Sequence, residues 1–149
     1  MRVRPSAFRL HGVLGPTLAR PRPRRCLVTL AIETSCDDTS VAILETKAAP
    51  ETAAAVAKLH FHEKVTSDNA AFNGVHPLAA LESHQENLAR LVREATAHFP
   101  SGRDRPDFVS VTRGPGMRSN LFTGLDTAKG LAVAWNASLA AEPDHKPVS

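Results

Sequence analysis

The chain has 149 residues, enough for one domain with a hydrophobic core. Hydrophobic residues make up 42% of it, yet no apolar run approaches the ~20 residues of a membrane-spanning helix, so we expect no integral membrane protein. The formal net charge of +3 is unevenly distributed and therefore does not predict nucleic-acid binding by the folded part.

The positive charge lies at the N-terminus. Residues 1–30 contain seven arginines and no acidic residue, which leaves 11 Lys and Arg against 15 Asp and Glu in the remainder. An Arg-rich, acid-free segment with scattered apolar residues is typical of a mitochondrial presequence. We expect residues 1–26 to be one, cleaved before Leu27; the alternatives are a disordered basic tail or an overextended gene model.

Two adjacent strands are predicted at the start of the folded part. Apolar and small residues alternate in 27–32, and their largely apolar content predicts burial on both faces of the strand. Residues 39–44 repeat the alternation. Between them, 33–38 is rich in residues that form turns, so the segment predicts strand, tight turn, strand.

The next segment gives weaker signals. Residues 46–58 are low in complexity and predict a loop or a weak helix, 60–65 predicts a third strand, and 67–77 a loop. His60 and His62 should share one face of that strand, where they could suit a metal. Because no third ligand is near, we expect ordinary surface side chains instead.

A long amphipathic helix is predicted over residues 77–98. Pro77 suits its first turn, and one face is apolar: Leu81, Leu88, Leu91, Val92, Ala95 and Phe99. His84 lies on that face. We expect a partly buried, hydrogen-bonded histidine there rather than a catalytic one.

A strand at 108–112 then leads into the loop 113-RGPGMRSN-120 and a second helix, marked by Leu121, Leu125, Ala128, Ala132 and Trp135. Strands followed by helices in this order predict an α/β fold, in which sites lie at the carboxyl ends of strands. After Trp135 the periodicity is lost, and we interpret 137–149 as an atypical tail.

The loop before the second helix can bind an anion. Gly114 and Gly116 permit positive φ and a close approach of the backbone, and the helix N-terminus supplies free amides that favour phosphate or carboxylate. The Walker A and dinucleotide-binding patterns are both absent. Gly124 and Gly130 are unfavourable inside a helix, which predicts close packing at both.

The turn predicted at residues 33–38 could form a site together with the loop before the second helix. Asp37 and Asp38 can hold Mg²⁺ through water, and with Glu33 they could act as acid–base groups. On spacing alone, a plain turn is the simpler interpretation.

Three ordered motifs favour a functional site over a plain turn. The segments LAIETSCDDTSVAIL, GVHPLAALESHQENL and VTRGPGMRSNLFTGLDTAKGLAVAW resemble, in order and spacing, blocks of the tRNA N6-threonylcarbamoyladenosine (t6A) synthase family, once misannotated as O-sialoglycoprotein endopeptidases. The glycine-containing block and the basic head look most like the mitochondrial branch. The resemblance covers about residues 27–136.

The resemblance implies the N-terminal lobe of an actin–hexokinase-like nucleotide-binding fold. It implies an acyltransferase that moves a threonylcarbamoyl group from threonylcarbamoyl-AMP to N6 of adenosine 37 in tRNAs reading ANN codons. The family's paired acids fall on Asp37 and Asp38 as catalytic candidates. The family's positions on the substrate or phosphate side of the cleft correspond to Glu33, Ser35, Gly114, Gly116 and Ser119. It also implies a homodimer in the mitochondrial matrix, with tRNA as partner and no membrane.

The chain departs from the family in its metal ligands. Complete members hold one divalent metal with a His-x-x-x-His pair after the Trp-containing helix and a later Asp. Here His145 stands near the expected place without a partner four residues on. We therefore expect an incomplete lobe, no tight metal binding and no activity alone; the alternative is a non-catalytic short isoform that acts as a dimerisation or binding module.

Overall fold

The computed structural model describes residues 26–47 and 56–143. The elements are, in chain order, β1 (Cys26–Glu33), β2 (Asp38–Lys47), β3 (Val56–Thr66), a 3₁₀ turn (Ala70–Phe72), α1 (Pro77–Thr96), β4 (Phe108–Gly114), α2 (Arg118–Trp135) and β5 (Ser138–Pro143). The strands form one mixed sheet in the order β3-β2-β1-β4-β5. The α/β class is confirmed. The expected presequence lies, except for Cys26, outside the described residues.

Within the described part of the chain, both helices pack against one face of the sheet. Val28, Leu30 and Ile32 of β1 are at most 3% exposed, and they form one core with apolar residues of both helices. Full burial of such a side chain contributes about 1.5–3 kcal/mol. The intervening residues of β1 stay half-buried. Burial on both faces was a wrong prediction, because both helices pack against the same face.

The third strand is longer than its sequence indicates. It begins at Val56, inside the segment predicted as a loop or weak helix, because the residues from Val56 onward pair antiparallel with β2. Such pairing overrides a weak local preference. The rest of that segment, residues 48–55, lies outside the described part of the chain.

A register shift near Ile43 of β2 separates the two histidines of β3. His60 contacts Glu45 at 2.8 Å, whereas His62 contacts Ser40 at 3.1 Å. Residues 40 and 45 of one strand face opposite sides of the sheet. The prediction that the two histidines share a face is therefore wrong.

The chain continues in the sheet after α2. The helix ends at Trp135, and the next residue, Asn136, has a left-handed φ of 50°, as is common after helix ends. Ser138–Pro143 then pairs parallel with β4. Part of the segment that we interpreted as an atypical tail thus forms a strand, because β5 is stabilised by pairing with β4 and not by its own periodicity. Residues 144–149, with His145, lie outside the described residues.

Candidate functional site

Two connections meet at one end of the sheet. We call residues 34–37, between β1 and β2, the hairpin turn, and residues 114–117, between β4 and α2, the glycine loop. The amide of Met117 donates a 2.9 Å hydrogen bond to the carbonyl oxygen of Ser35. A Cβ added to Gly116 would lie 2.6 Å from the same oxygen, so only glycine allows this approach. Gly114 has φ of 149°, which side chains rarely permit.

Glu33 ties the hairpin turn to the end of β4. One carboxylate oxygen accepts a hydrogen bond from the amide of Ser35, and the other accepts from the hydroxyl of Thr112. Glu33, Ser35 and Gly116, three of the residues predicted on the phosphate side, are thus brought together. Thr112 was not anticipated by the sequence analysis.

Asn120 is the buried polar residue that the sequence analysis missed. The helix begins at Arg118, earlier than predicted, so Asn120 lies in its first turn and is fully buried. Its side-chain amide donates to the backbone carbonyl oxygen of Cys36 at 2.8 Å. Its backbone carbonyl oxygen accepts from the hydroxyl of Thr34 at 2.8 Å. The available signal was spacing: residues 120, 124, 128 and 132 form one buried stripe, and Asn120 is its polar member.

The two helical glycines differ. A Cβ added to Gly124 would overlap the hydroxyl oxygen of Thr34, which confirms the close packing predicted there. Nothing lies within 4 Å of the corresponding position at Gly130. The prediction of close packing at Gly130 is wrong, because that residue lies on the exposed side of the helix.

His84 is fully buried, where partial burial was predicted, and both of its ring nitrogens are hydrogen-bonded, as predicted. Nε2 lies 3.1 Å from the carbonyl oxygen of Cys36, and Nδ1 lies 2.8 Å from the hydroxyl of Thr39. Burial lowers the pKa of His84, and this outweighs the hydrogen bond to Cys36 and the nearby carboxylates. Because a carbonyl only accepts, Nε2 carries the proton of the neutral ring and Nδ1 accepts from Thr39.

The paired acids point to different partners. Asp38 accepts hydrogen bonds from Lys64 at 2.8 Å and from Thr66, both on β3. Burial raises the pKa of Asp38, but these two bonds outweigh it, so its pKa lies below the usual range. The structure thus directs Asp38 toward the neighbouring strand.

Asp37 remains in the hairpin turn. Its backbone carbonyl accepts from the amide of Ser67 at 2.9 Å, and its half-buried carboxylate is near enough to the Cys36 thiol to act on the pKa of that thiol. Desolvation and this carboxylate raise the pKa of Cys36. Cys36 is therefore a protonated thiol at neutral pH and a poor nucleophile.

Ser119 lies beside this cluster, in the first turn of α2. Its hydroxyl is exposed and donates to the side-chain oxygen of Asn120 at 3.2 Å. It lines an open depression of about 580 Å³ with Pro77, Met117, Arg118 and Phe122. The Arg118 guanidinium lies 5.3 Å from the centre of the Phe122 ring. The wall is mostly apolar, which suits a protein surface better than a phosphate.

The described residues do not fit the metal that the resemblance implies. Within residues 26–47 and 56–143, no three His, Cys, Asp or Glu side chains are grouped as a metal site requires. Glu33, Asp38 and His84 each hydrogen-bond a protein partner instead. In the same part of the chain, neither helix combines the length and apolarity needed to cross a membrane.

Comparisons with known proteins agree on one family. The family model for tRNA N6-adenosine threonylcarbamoyltransferase matches residues 60–142. The mitochondrial tRNA N6-adenosine threonylcarbamoyltransferase of Schizosaccharomyces pombe is 41% identical over 119 residues, which are 78% of this chain and 29% of that protein. The tRNA N6-adenosine threonylcarbamoyltransferase of Chelativorans sp. is 37% identical over 70% of this chain and 28% of its own length. The chain thus spans less than a third of these relatives.

Among solved structures, YeaZ from Pseudomonas aeruginosa superposes with a TM-score of 0.47 at 20% identity. The match covers 79% of this chain and 43% of that one.

Proposed function

Because the chain belongs to the tRNA N6-adenosine threonylcarbamoyltransferase family, we propose that it forms the N-terminal lobe of a t6A-forming acyltransferase of the actin–hexokinase type. The reaction is transfer of the threonylcarbamoyl group from threonylcarbamoyl-AMP to N6 of adenosine 37 in tRNAs reading ANN codons. One observation carries the proposal: the hairpin turn and the glycine loop, far apart in sequence, are hydrogen-bonded to each other through Ser35 and Met117.

This arrangement suits the adenylate end of the donor. The glycine loop and the first turn of α2 present backbone amides and the positive end of the helix dipole, which favour a phosphate group. Gly116 removes the side chain that would separate loop from turn. Ser35 and Gly114 belong to the turn and the loop that form this place, whereas Ser119 faces the apolar depression beside it.

Asp37 is the residue that we assign to proton transfer. As N6 of adenosine attacks the carbamoyl carbon, the new C–N bond forms, the C–O bond to AMP breaks, and the N6 proton passes to the Asp37 carboxylate. The departing AMP carries its charge on the phosphate, beside the backbone amides. Asp38, held by Lys64, fixes the beginning of β2 and with it the turn.

Two further observations support the compartment and the assembly that we propose. The Schizosaccharomyces pombe relative is named as mitochondrial, and residues 1–26 have the composition of a presequence, so we place the protein in the mitochondrial matrix. Leu78 is 63% exposed and Phe122 45% exposed, at the N-terminal halves of the two helices. This face suits a second copy of the chain. It also favours the second candidate function, a dimerisation or binding module without catalysis.

A chimaera tests the proposal. In the Schizosaccharomyces pombe enzyme, the matched 119-residue stretch is replaced by that of this chain, and t6A is measured in tRNA incubated with threonylcarbamoyl-AMP. We expect t6A from the chimaera and a loss of about 10²–10⁴-fold with Asp37→Asn, the range for a general base. Asp126→Asn, exposed on α2, is the matched control.

The 149-residue chain alone is the second arm. We expect it to form no t6A; t6A formed by it would contradict assignment as a lobe. A chimaera that folds but leaves tRNA unmodified would contradict the catalytic proposal and favour the binding module.

A further inference from the structure

The peptide bond between Cys36 and Asp37 is held from inside the protein by both helices. Its carbonyl oxygen accepts from Nε2 of His84, on α1, at 3.1 Å, and from the side-chain amide of Asn120, on α2, at 2.8 Å. Both side chains have no exposed surface. A buried side chain with two or more polar atoms is costly unless each atom is hydrogen-bonded, and here each is.

The two hydrogen bonds also set the direction of the amide on the other side of the peptide bond. In a planar trans peptide, the C=O and N–H bonds point in opposite directions. Because the Cys36 carbonyl points inward to His84 and Asn120, the N–H of Asp37 points away from the core, toward the open end of the sheet.

Packing alone does not account for this arrangement. An apolar residue at position 84 or 120 would fill a buried site without the desolvation of a ring or an amide. The polar side chains, one from each helix, instead fix the orientation of the Cys36–Asp37 peptide group. Thr39 in turn orients the His84 ring through its hydroxyl.

We propose that His84 and Asn120 are positioning residues that direct the Asp37 amide toward the phosphate of the adenylate. The inference rests on the proposed function, since it assumes that the adenylate end of the donor lies at the hairpin turn. Neither residue contacts the donor. Each acts through the Cys36 carbonyl.

The test uses the ¹⁵N-labelled 149-residue chain with AMP as the probe and the Asp37 amide resonance as the readout. We expect AMP to shift this resonance in the wild type. His84→Gln keeps a donor near the Nε2 position and should retain AMP affinity within about twofold. His84→Asn is too short to reach Cys36 and should lose about tenfold or more, as expected for one hydrogen bond of a positioned group. Asn120→Asp, which replaces the donor by a carboxylate, should lose affinity likewise.

Val92→Ala separates positioning from a purely structural role. Val92 is buried in the core about two turns of α1 beyond His84, so its truncation should lower the thermal midpoint through lost packing and leave AMP affinity nearly unchanged. If affinity falls in step with stability across all variants, the positioning role is wrong. Should His84→Asn fail to fold, the comparison of Asn120→Asp with Val92→Ala decides alone.

The outcome is independent of t6A formation. An Asp37 resonance that does not respond to AMP, or equal AMP affinity in His84→Asn and wild type, overturns the inference even if the chimaera modifies tRNA. The expected affinity pattern together with an inactive chimaera overturns the proposed reaction and leaves the positioning role in place.

Discussion

Gly124 lies directly against Thr34, so that a methyl group on this glycine would overlap the threonine hydroxyl oxygen. The hydroxyl cannot simply move aside, because it donates to the carbonyl oxygen of Asn120. The distance between α2 and the end of β1 therefore depends on one missing side chain. The same close approach brings the first turn of α2 to the hairpin turn.

Gly124→Ala and Gly130→Ala should have effects of opposite sign on the free energy of unfolding. At Gly124 we expect alanine to destabilise the fold by overpacking, at the upper end of the usual range of about 1–3 kcal/mol. This loss exceeds the stabilisation that alanine gives through its higher helix propensity. At Gly130, where nothing lies within 4 Å, alanine should stabilise by up to about 1 kcal/mol. Urea denaturation measures both. Changes of the same sign would show that the packing at Gly124 is not as described.

Gly116→Ala should disrupt the site more than the fold. Its new Cβ would meet the Ser35 carbonyl oxygen and push the glycine loop from the hairpin turn. A displacement of about 1 Å at a site can reduce a rate about 10²-fold. We expect a loss of that size in t6A formation by the chimaera. Gly130→Ala serves as control, and an equal loss there would remove the site-specific explanation.

Stability should decrease in mild acid because of His84. Burial lowers the pKa of its folded form, so below the unfolded pKa of about 6.5 the unfolded chain binds the proton more readily. The free energy of unfolding should then fall by up to about 1.4 kcal/mol per pH unit, until the pH reaches the lower folded pKa. Denaturation of wild type and His84→Gln at several pH values isolates this slope. Parallel pH profiles for the two proteins would contradict it.

The Asp38–Lys64 pair should contribute little to stability. Both side chains are substantially exposed, and such pairs contribute about 0–1 kcal/mol. Asp38→Asn and Lys64→Met should each destabilise within that range, with a double variant no worse than the larger single one. Thermal denaturation of the four proteins gives the coupling. Strictly additive effects would mean that the pair does not interact in solution.

The apolar face at the start of the two helices should mediate self-association. Leu78→Lys combined with Phe122→Lys should shift a dimer toward monomer in sedimentation experiments, because lysine is costly to bury in an interface. Val133→Lys is the control, since Val133 is 83% exposed near the other end of α2. A wild-type chain that is monomeric at every concentration would exclude this use of the face.

Local patterns were sufficient for much of the fold. Alternation predicted β1, β2 and β4, and the spacing of apolar residues predicted both helices, since these elements bury one periodic face. His84 was predicted as partly buried and hydrogen-bonded because it lies on such a face. The three ordered motifs also identified the family, since each keeps its residue types and spacing within a short stretch of chain.

Tertiary structure alone decided the rest. The start of β3 and the whole of β5 depend on pairing with distant strands, which leaves no periodic signal in their own residues. Asp37 and Asp38, adjacent in sequence, were separated by Lys64 of β3, which holds only the second. The roles of Asn120 and of Gly124 became visible only when α2 was placed against the hairpin turn. The sequence by itself determined which segments form strands and helices and which family they belong to. The contacts between segments far apart in the chain determined which polar groups face the candidate site, because hydrogen bonds have direction and hydrophobic periodicity does not specify it.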